Sequence, residues 1–190
     1  MASAFLLIIG HREGLSWILS SRRMAFVGNQ KQVPRNLAPD DQLFLYTTRG
    51  CFLNPSRSLG RVIGNATITG TVEALSPPVT VGGRIYPYGC SIRVDSLAPL
   101  GQGVPLRSLV NELDAFSKKP EAWSAWLRRT LLPLSDHDAV LLASHLASLV
   151  LPADEVITPY LKWLPQDTRS TSDTYRRHGS RSTADVSVGG

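Results

Sequence analysis

Aromatic side chains alternate with short polar ones at several places that look like the ends of strands. The set comprises Phe26, Asn29, Tyr46, Thr47, Thr48, Arg49, Phe52, Tyr86 and Tyr88. Flat aromatic faces can stack on a nucleobase, and Asn or Thr side chains can hydrogen-bond its Watson–Crick edge. Because Tyr46 alternates with Phe44, we expect at least one of those two rings to belong to the core. The remaining residues predict a pocket for a base.

Cysteine–histidine chemistry is the competing use of the reactive side chains. A thiolate activated by an imidazole needs only those two groups within reach, and Cys51 or Cys90 could pair with His11. A lone cysteine in a strand-like segment is more often a small buried hydrophobe. No GxSxG or local Cys-His signature is present. We therefore expect no catalytic residue, and His11 could lie either in a pocket or in a surface loop.

Cofactor and metal motifs are absent from the sequence. The glycine-containing segments 60–64 and 101–103 lack both the Lys-Ser/Thr of a P-loop and GxGxxG spacing. The two cysteines have no CxxC partner and no histidine at ligand spacing, which argues against structural zinc. His137 and His145 are expected in a cap region or packed within a helix. We expect neither a cofactor nor a metal.

The charge balance favours a polyanionic partner. Lys and Arg number 20 against 15 Asp and Glu, which leaves a formal charge of +5 on 190 residues. The chain from Gln166 onward holds four Arg and three Asp, so the remainder keeps a charge of +4. A modest basic face of this kind suits contact with nucleic acid phosphates.

The composition predicts one domain, residues 1–164, followed by a tail. Residues 165–190 contain no Leu, Ile, Phe or Trp and are rich in Ser, Thr and Arg, so we expect disorder there. The apolar run of residues 4–9 is too short for a signal peptide core or a membrane span. We therefore expect a cytoplasmic protein with no membrane association and with reduced thiols, although the sequence leaves a disulfide open.

Periodicity predicts the elements that position these residues. The apolar run 4–9 predicts a buried first strand, and apolar residues at helical spacing predict a helix over 12–23. A polar loop over 28–41 contains two prolines and is a candidate binding loop. The β-forming run 42–48 predicts a second strand.

The second half of the chain changes from strands to helices. Residues 60–75 alternate apolar side chains with Thr and Asn, which predicts a strand bent at Gly64 and Gly70. The Gly82-Gly83 pair predicts a tight hairpin, and residues 90–97 predict a further strand. Beyond them the pattern predicts helices near 106–113, 120–127 and 135–150, the last with a Ser135 capping box. Strands followed by helices indicate an α+β domain.

These segments together resemble the EVE domain in its actinobacterial form. AFLLIIG, AFVGNQ, APDDQLFLYTTRGCF, GRVIGNATITGTVEAL and CSIRVDSLAPL follow the family's order of elements, and LRRTLLPLSDHDAVLL is also similar to it. The resemblance covers residues from Phe5 to about Leu149. It implies an α+β, PUA-like mixed β-barrel flanked by helices, with the C-terminal helices packed against the barrel.

The resemblance also implies a function. EVE domains are similar in fold to YTH and PUA domains, so we expect a non-catalytic module that binds nucleic acid carrying a flipped, modified base. A methylated or hydroxymethylated cytosine in DNA is one such base. The implied base-binding residues are His11, Phe26, Gly28, Asn29, Thr47, Thr48 and Tyr86, with Arg12 and Arg49 on phosphate. Many relatives have Trp where this chain has Phe26. DNA versus RNA, the modification and the oligomeric state stay open.

Two alternatives accompany this interpretation. PUA-like barrels of the ASCH type include hydrolases of RNA or modified nucleosides, and their marker would be a Lys, Glu or Cys in the pocket. Cys51 is the residue this chain could offer. A partner-binding protein that uses the helical end would instead expose Trp123, Trp126 and Trp163.

Overall fold

The computed structural model describes residues 2–28, 37–52 and 59–163. The predicted base contact Asn29, most of the predicted polar loop and the predicted tail lie outside the described residues. The strands are β1 Ala4–Ile9, β2 Arg23–Phe26, β3 Gln42–Thr47, β4 Arg61–Ile68, β5 Glu73–Val81, β6 Arg84–Leu97, β7 Val104–Pro105, β8 Leu131–Leu134 and β9 Leu151–Pro152. The helices are α1 Arg12–Ser21, α2 Leu106–Leu109, α3 Trp123–Trp126, α4 Asp136–Leu146 and α5 Ala153–Trp163, with single 3-10 turns at Asp114–Phe116 and Pro120–Ala122.

The nine strands form one mixed sheet with the order β2-β6-β4-β3-β1-β8. Off this path, β5 and β9 pair with β6, and β7 pairs with β4. Strands β1 and β3 are parallel, whereas the other pairs are antiparallel. The register shifts at Leu45/Tyr46 between β3 and β4, and at Asn65/Ala66 between β4 and β6. Such irregularities increase local twist and bend strands, and the sheet curls into a half-barrel.

Both faces of the central strands are covered. In β1, Phe5, Leu7 and Ile9 join one core cluster, which α1 and α5 also supply, while Leu6 joins a second cluster with α2 and α4. Strand β3 alternates in the same way. Near-continuous burial explains why these strands read as apolar runs rather than as alternating ones.

Local chemistry fixes the helix ends. The Ser135 hydroxyl accepts the Asp138 backbone N–H, and the Asp138 carboxylate reaches back to the Ser135 N–H, which completes the predicted capping box of α4. Helix α1 ends at Arg22, whose left-handed backbone, with φ of 55°, lets its N–H bond to Ile18.

A tertiary hydrogen bond anchors the last helix: the Tyr160 hydroxyl of α5 donates to the Ala98 carbonyl at 3.0 Å. That bond fixes α5 against the chain that follows β6.

The order of elements departs from the prediction in the second half of the chain. Strand β8 lies between α3 and α4 and pairs antiparallel with β1, so helices do not simply follow strands. Its four residues, LLPL, form a short apolar run, which periodicity alone cannot distinguish from part of a helix. Residues 60–75 form two strands rather than one, and residues 84–97 form one strand rather than two. Helix α5 was not anticipated. Among the described residues, no helix has both the length and the apolar character needed to cross a membrane.

Candidate functional site

Three strand ends meet at one edge of the sheet. Because β1 and β3 run parallel with Ile9 opposite Thr47, the residues that follow each strand emerge side by side. The Thr48 N–H donates to the Ile9 carbonyl at 3.0 Å. Strand β8 runs the other way, and the Ile8 N–H donates to the Thr130 carbonyl at 2.9 Å, so the chain entering β8 reaches the same edge.

The β5–β6 hairpin forms a wall beside this edge. Its turn is the predicted Gly82-Gly83 pair, with φ of 54° and 75°, and positive φ at both positions is the requirement of a type I′ turn. A Cβ on Gly82 would lie 2.8 Å from Cε1 of His11, whereas a Cβ on Gly83 would meet nothing within 4 Å. The His11 imidazole therefore lies against the turn, and only a glycine at position 82 leaves room for it.

Helix α1 closes the third side of a cavity of about 360 Å³. Its lining residues are Leu7, Ile8, Ile9, Gly10, His11, Gly14, Trp17, Ile18, Ala25, Val27, Thr48, Val79, Val81, Arg84, Tyr86, Leu127, Arg128, Arg129 and Thr130. The half-buried Trp17 and Tyr86 supply aromatic surface, and strand residues such as Leu7 supply an apolar floor. Sites for small molecules span roughly 300–1,000 Å³ and combine apolar walls with a few polar groups, as this cavity does.

Three of the predicted base contacts come together here. His11, Thr48 and Tyr86 all line the cavity. Gly28 is exposed and has φ of 88°, but it is not among the lining residues, although its neighbour Val27 is.

Phe26 and Thr47 are placed differently from the prediction. The Phe26 side chain is 3% exposed, belongs to the core cluster beneath α1 and does not line this cavity. Thr47 is 0% exposed and donates from its hydroxyl to the Arg61 carbonyl at 3.3 Å. Successive side chains of a strand point alternately to the core and to the cavity, and the sequence does not show which of the two faces is the core. The prediction therefore assigned these two residues to the wrong face. Of the two predicted rings, only Tyr86 lines the main cavity.

Arg12 and Arg49, predicted to bind phosphate, lie outside the cavity lining. The Arg12 guanidinium lies over the Trp163 ring at 4.1 Å, and its NH2 group donates to the Trp163 carbonyl. Arg12 thus ties α1 to the end of α5. Arg49 is exposed, and its charge acts on Tyr46, where it opposes the burial that raises the pKa of that phenol to about 12.

Trp17, Arg84, Arg128 and Arg129 were not anticipated as site residues. In the sequence, Trp17 lies beside the apolar stripe formed by Leu15, Ile18 and Leu19, and an aromatic residue off the stripe is one available signal. The Arg128-Arg129 pair directly before a short apolar run is the other. The arginine pair could not be connected to the pocket without knowing that β8 pairs with β1.

The cysteines do not provide an activated nucleophile. Cys51 and Cys90 are both free thiols with 0% exposure. Burial raises the pKa of each to about 12, against weaker opposing effects of Arg12 at Cys51 and of Arg23 at Cys90. Both thiols are therefore neutral at pH 7, and neither lines the cavity.

A carboxylate–histidine cluster lies near the start of α4. His137 Nδ1 is 3.6 Å from Asp114 Oδ2 and 3.8 Å from Asp138 Oδ1. Among the described residues, these three form the cluster whose ligand atoms lie close enough together to hold a metal ion. Asp138 is already used, because Oδ1 accepts the Asp114 N–H at 2.6 Å and Oδ2 accepts the Ala115 N–H at 3.0 Å. The cluster therefore has a structural role in joining α4 to the preceding turn.

The tryptophans of the helical end are largely covered. Trp123 and Trp126 are half-buried and pack on the second core cluster. Trp163 is 38% exposed, but Arg12 covers one face and the Phe52 ring approaches it with centroids 5.2 Å apart. The described residues thus do not present the open tryptophan surface that a partner-binding role at this end requires.

Comparison with known proteins places the fold. No protein-family model matches the chain, and no curated protein does. A protein from Pseudomonas putida matches with a TM-score of 0.52 at 14% identity, over 75% of this chain and 98% of that one. A protein from Pseudomonas syringae matches with a TM-score of 0.49 at 13% identity, over 75% and 99%. Human THYN1, solved in complex with 5-methylcytosine-containing DNA, matches with a TM-score of 0.48 at 11% identity, over 75% and 96%. The described part of the chain has the predicted α+β fold, a curled mixed half-barrel with five helices.

Proposed function

We propose that the chain is a nucleic-acid-binding module of the EVE kind that accepts a flipped, modified base in the cavity between α1, the β5–β6 hairpin and the ends of β1 and β3. The observation that carries the proposal is the lining itself. One concave space brings together two aromatic residues, Trp17 and Tyr86, and two polar residues, His11 and Thr48. Aromatic faces stack on bases and polar groups read their edges.

The apolar surface of the cavity favours a modified base over an unmodified one. Leu7, Ile9, Val79 and Val81 contribute to the lining and can take up a methyl or hydroxymethyl substituent of a cytosine. Burial of one methyl-sized group contributes about 0.8 kcal/mol, which corresponds to a preference of about four-fold. Hydrogen bonding to the hydroxyl of a hydroxymethyl group would add to this preference, and Thr48 or His11 could provide it.

Charge supports a nucleic acid as the carrier of that base. Arg84, Arg128 and Arg129 line the cavity and are exposed, and no Asp or Glu is among the described lining residues. A positive rim of this kind attracts phosphate and weakens with salt, because binding releases counterions from the nucleic acid.

The chemistry of the lining supports binding without catalysis. An ASCH-type hydrolase would need a Lys, Glu or Cys in the pocket, and the described lining residues include none of these. Cys51, the residue that the sequence offered for this role, is buried elsewhere with its thiol protonated. We therefore assign the cavity to recognition.

The test is a titration of intrinsic fluorescence with matched 12-base-pair duplexes that carry one cytosine, 5-methylcytosine or 5-hydroxymethylcytosine. Methylated duplexes are included because the human protein was solved with such DNA. Tyr86→Ala should weaken binding of the modified duplex by about ten-fold, since stacking on an aromatic is worth roughly 1–3 kcal/mol per base. Ile85→Ala is the matched control, because Ile85 is 61% exposed on the same strand and lines neither cavity.

Melting temperatures of both variants should stay close to that of the parent protein. Equal affinity of the Tyr86→Ala and Ile85→Ala proteins for the modified duplex would contradict the proposed site. Absence of binding to single- and double-stranded DNA and RNA at low salt would contradict the proposed function as a whole.

A further inference from the structure

A second cavity of about 350 Å³ adjoins the first. It is lined by Phe26, Val27, Arg84, Arg128, Arg129, Thr130 and Leu131. Five of these seven residues also line the first cavity, so the two cavities are direct neighbours and share their arginines. One ligand could therefore contact both cavities.

The lining of the second cavity differs in chemistry from that of the first. Three of its seven residues are arginines, and it has neither Trp nor Tyr. Among the described residues, the ion pairs involve Arg22, Arg23, Arg93 and His137, and none involves an arginine of the cavity. No carboxylate of the described chain therefore neutralises these three guanidinium groups by direct pairing.

The arginines reach the cavity from two distant parts of the chain. Arg84 begins β6 immediately after the hairpin turn, and Arg128 and Arg129 precede β8. The Arg129 guanidinium lies over the Trp126 ring at 5.2 Å, which restricts where that charge can be. Guanidinium groups that line one concave space can together bind a phosphate, since each offers a planar fork of donors that matches phosphate oxygens.

We infer that the second cavity is a phosphate subsite, which holds the phosphodiester next to the flipped nucleotide. The inference rests on the proposed function and narrows its ligand class: the site recognises a nucleotide within a strand rather than a free nucleoside. In this arrangement the base occupies the cavity that Trp17 and Tyr86 line, and the backbone passes over Arg84 and Arg128.

The test compares two small ligands, 5-methyl-2′-deoxycytidine and its 3′,5′-bisphosphate, by calorimetry at low salt. Both can occupy the base cavity, but only the bisphosphate can use the arginines. We expect the bisphosphate to bind the parent protein at least ten-fold more tightly. Arg84→Gln and Arg128→Gln should each remove most of that gain, measured as the ratio of bisphosphate to nucleoside affinity for the same variant. Arg107→Gln is the matched control, because Arg107 is exposed on α2 and lines neither cavity.

A second readout is the dependence of affinity on salt for a modified oligonucleotide. Each of the two cavity substitutions should reduce the slope of log K against log salt by about 1, the value expected for the loss of one phosphate contact. The control substitution should leave the slope unchanged. This measurement does not require the isolated nucleoside to bind detectably.

The outcomes separate the inference from the proposed function. Binding of the nucleoside or oligonucleotide without any gain from the phosphates, or with unchanged salt slopes in both variants, would overturn the subsite and leave the base pocket in place. An equal loss of nucleoside and bisphosphate affinity in the same variants would place the arginines on the base and would also overturn it. Failure of the parent protein to bind any nucleoside, nucleotide or oligonucleotide would instead contradict the proposed function itself.

Discussion

The contact between His11 and the hairpin turn can be tested by substituting two adjacent glycines, of which only one lies against His11. Gly82 and Gly83 both have left-handed backbones, with φ of 54° and 75°. Alanine in that region costs roughly 1–2 kcal/mol, part of which is offset because alanine also restricts the unfolded chain. Each substitution alone should thus destabilise the protein by about 1 kcal/mol, a fall in melting temperature of about 2–4 °C for a chain of this size.

Only Gly82→Ala also changes the site. Its new methyl group would lie 2.8 Å from Cε1 of His11 and 3.0 Å from both ring nitrogens, whereas the methyl of Gly83→Ala meets nothing within 4 Å. Because His11 is exposed, its ring can leave this position at a cost of about 0.5–1.5 kcal/mol for an unfavourable rotamer. The imidazole then no longer lines the cavity, and Gly82→Ala should lower affinity for a modified duplex as much as His11→Ala does.

The assay is a double-mutant cycle of Gly82→Ala and His11→Ala, with Gly83→Ala as the control, read by duplex affinity and by thermal unfolding. The double variant should bind no more weakly than either single variant, because both remove the same group from the same place. Affinity losses that add up, or an equal loss of affinity in Gly83→Ala, would refute the role of His11 and of the turn that supports it.

Three further predictions concern residues outside the base cavity. Phe26→Ala should destabilise the fold by about 3–5 kcal/mol through the cavity it leaves in the core. The protein that remains folded should bind 5-methyl-2′-deoxycytidine with nearly unchanged affinity, because Phe26 lines the second cavity and not the base cavity, as paired melting and binding curves would show. Arg12→Ala should lower the melting temperature through loss of its contact with Trp163, a contact worth about 0.5–1 kcal/mol, yet leave the salt dependence of binding unchanged. The free energy of unfolding should fall as pH rises from about 9 toward 12. Burial raises the pKa of Cys51 and Cys90 to about 12, whereas the unfolded thiols ionise near 9, so the native state holds more protons in this range. Chemical denaturation at several pH values measures the fall.

The fold was more accessible from the sequence than the site was. The first strand, the first helix, the Gly82-Gly83 hairpin and the Ser135 capping box are local signals, and the structure confirms each of them. They depend on residues close together in the chain, where periodicity and turn chemistry apply directly. Strand β8 is a short apolar run without a turn signal, and helix α5 contains Pro159, which argues against a helix interior, so both are defined by long-range packing.

The candidate site depends on those long-range pairings. His11, Thr48 and Tyr86 could be found because each follows or lies on an element with a clear local pattern. Arg128 reaches the cavity only because β8 pairs with β1, which no local pattern predicts. Phe26, predicted to stack on the base, lies in the core for a related reason, since alternation shows that neighbours face opposite sides but not which side is the core.

The pairing of β1 with β8 also affects how the chain folds as it is synthesised. Leu6 pairs with Leu132, so strand β1 leaves the ribosome long before its edge partner does. At translation rates of roughly 5–20 residues per second, the intervening stretch takes about 6–25 s to appear. During that interval, the edge of β1 that will pair with β8 has no partner, and the side chains of β1 belong to both core clusters of the folded protein. Unpaired apolar edges of this kind are the surfaces that nucleate aggregation and that chaperones cover, so the nascent form of this protein depends on early protection more than its compact final fold would suggest.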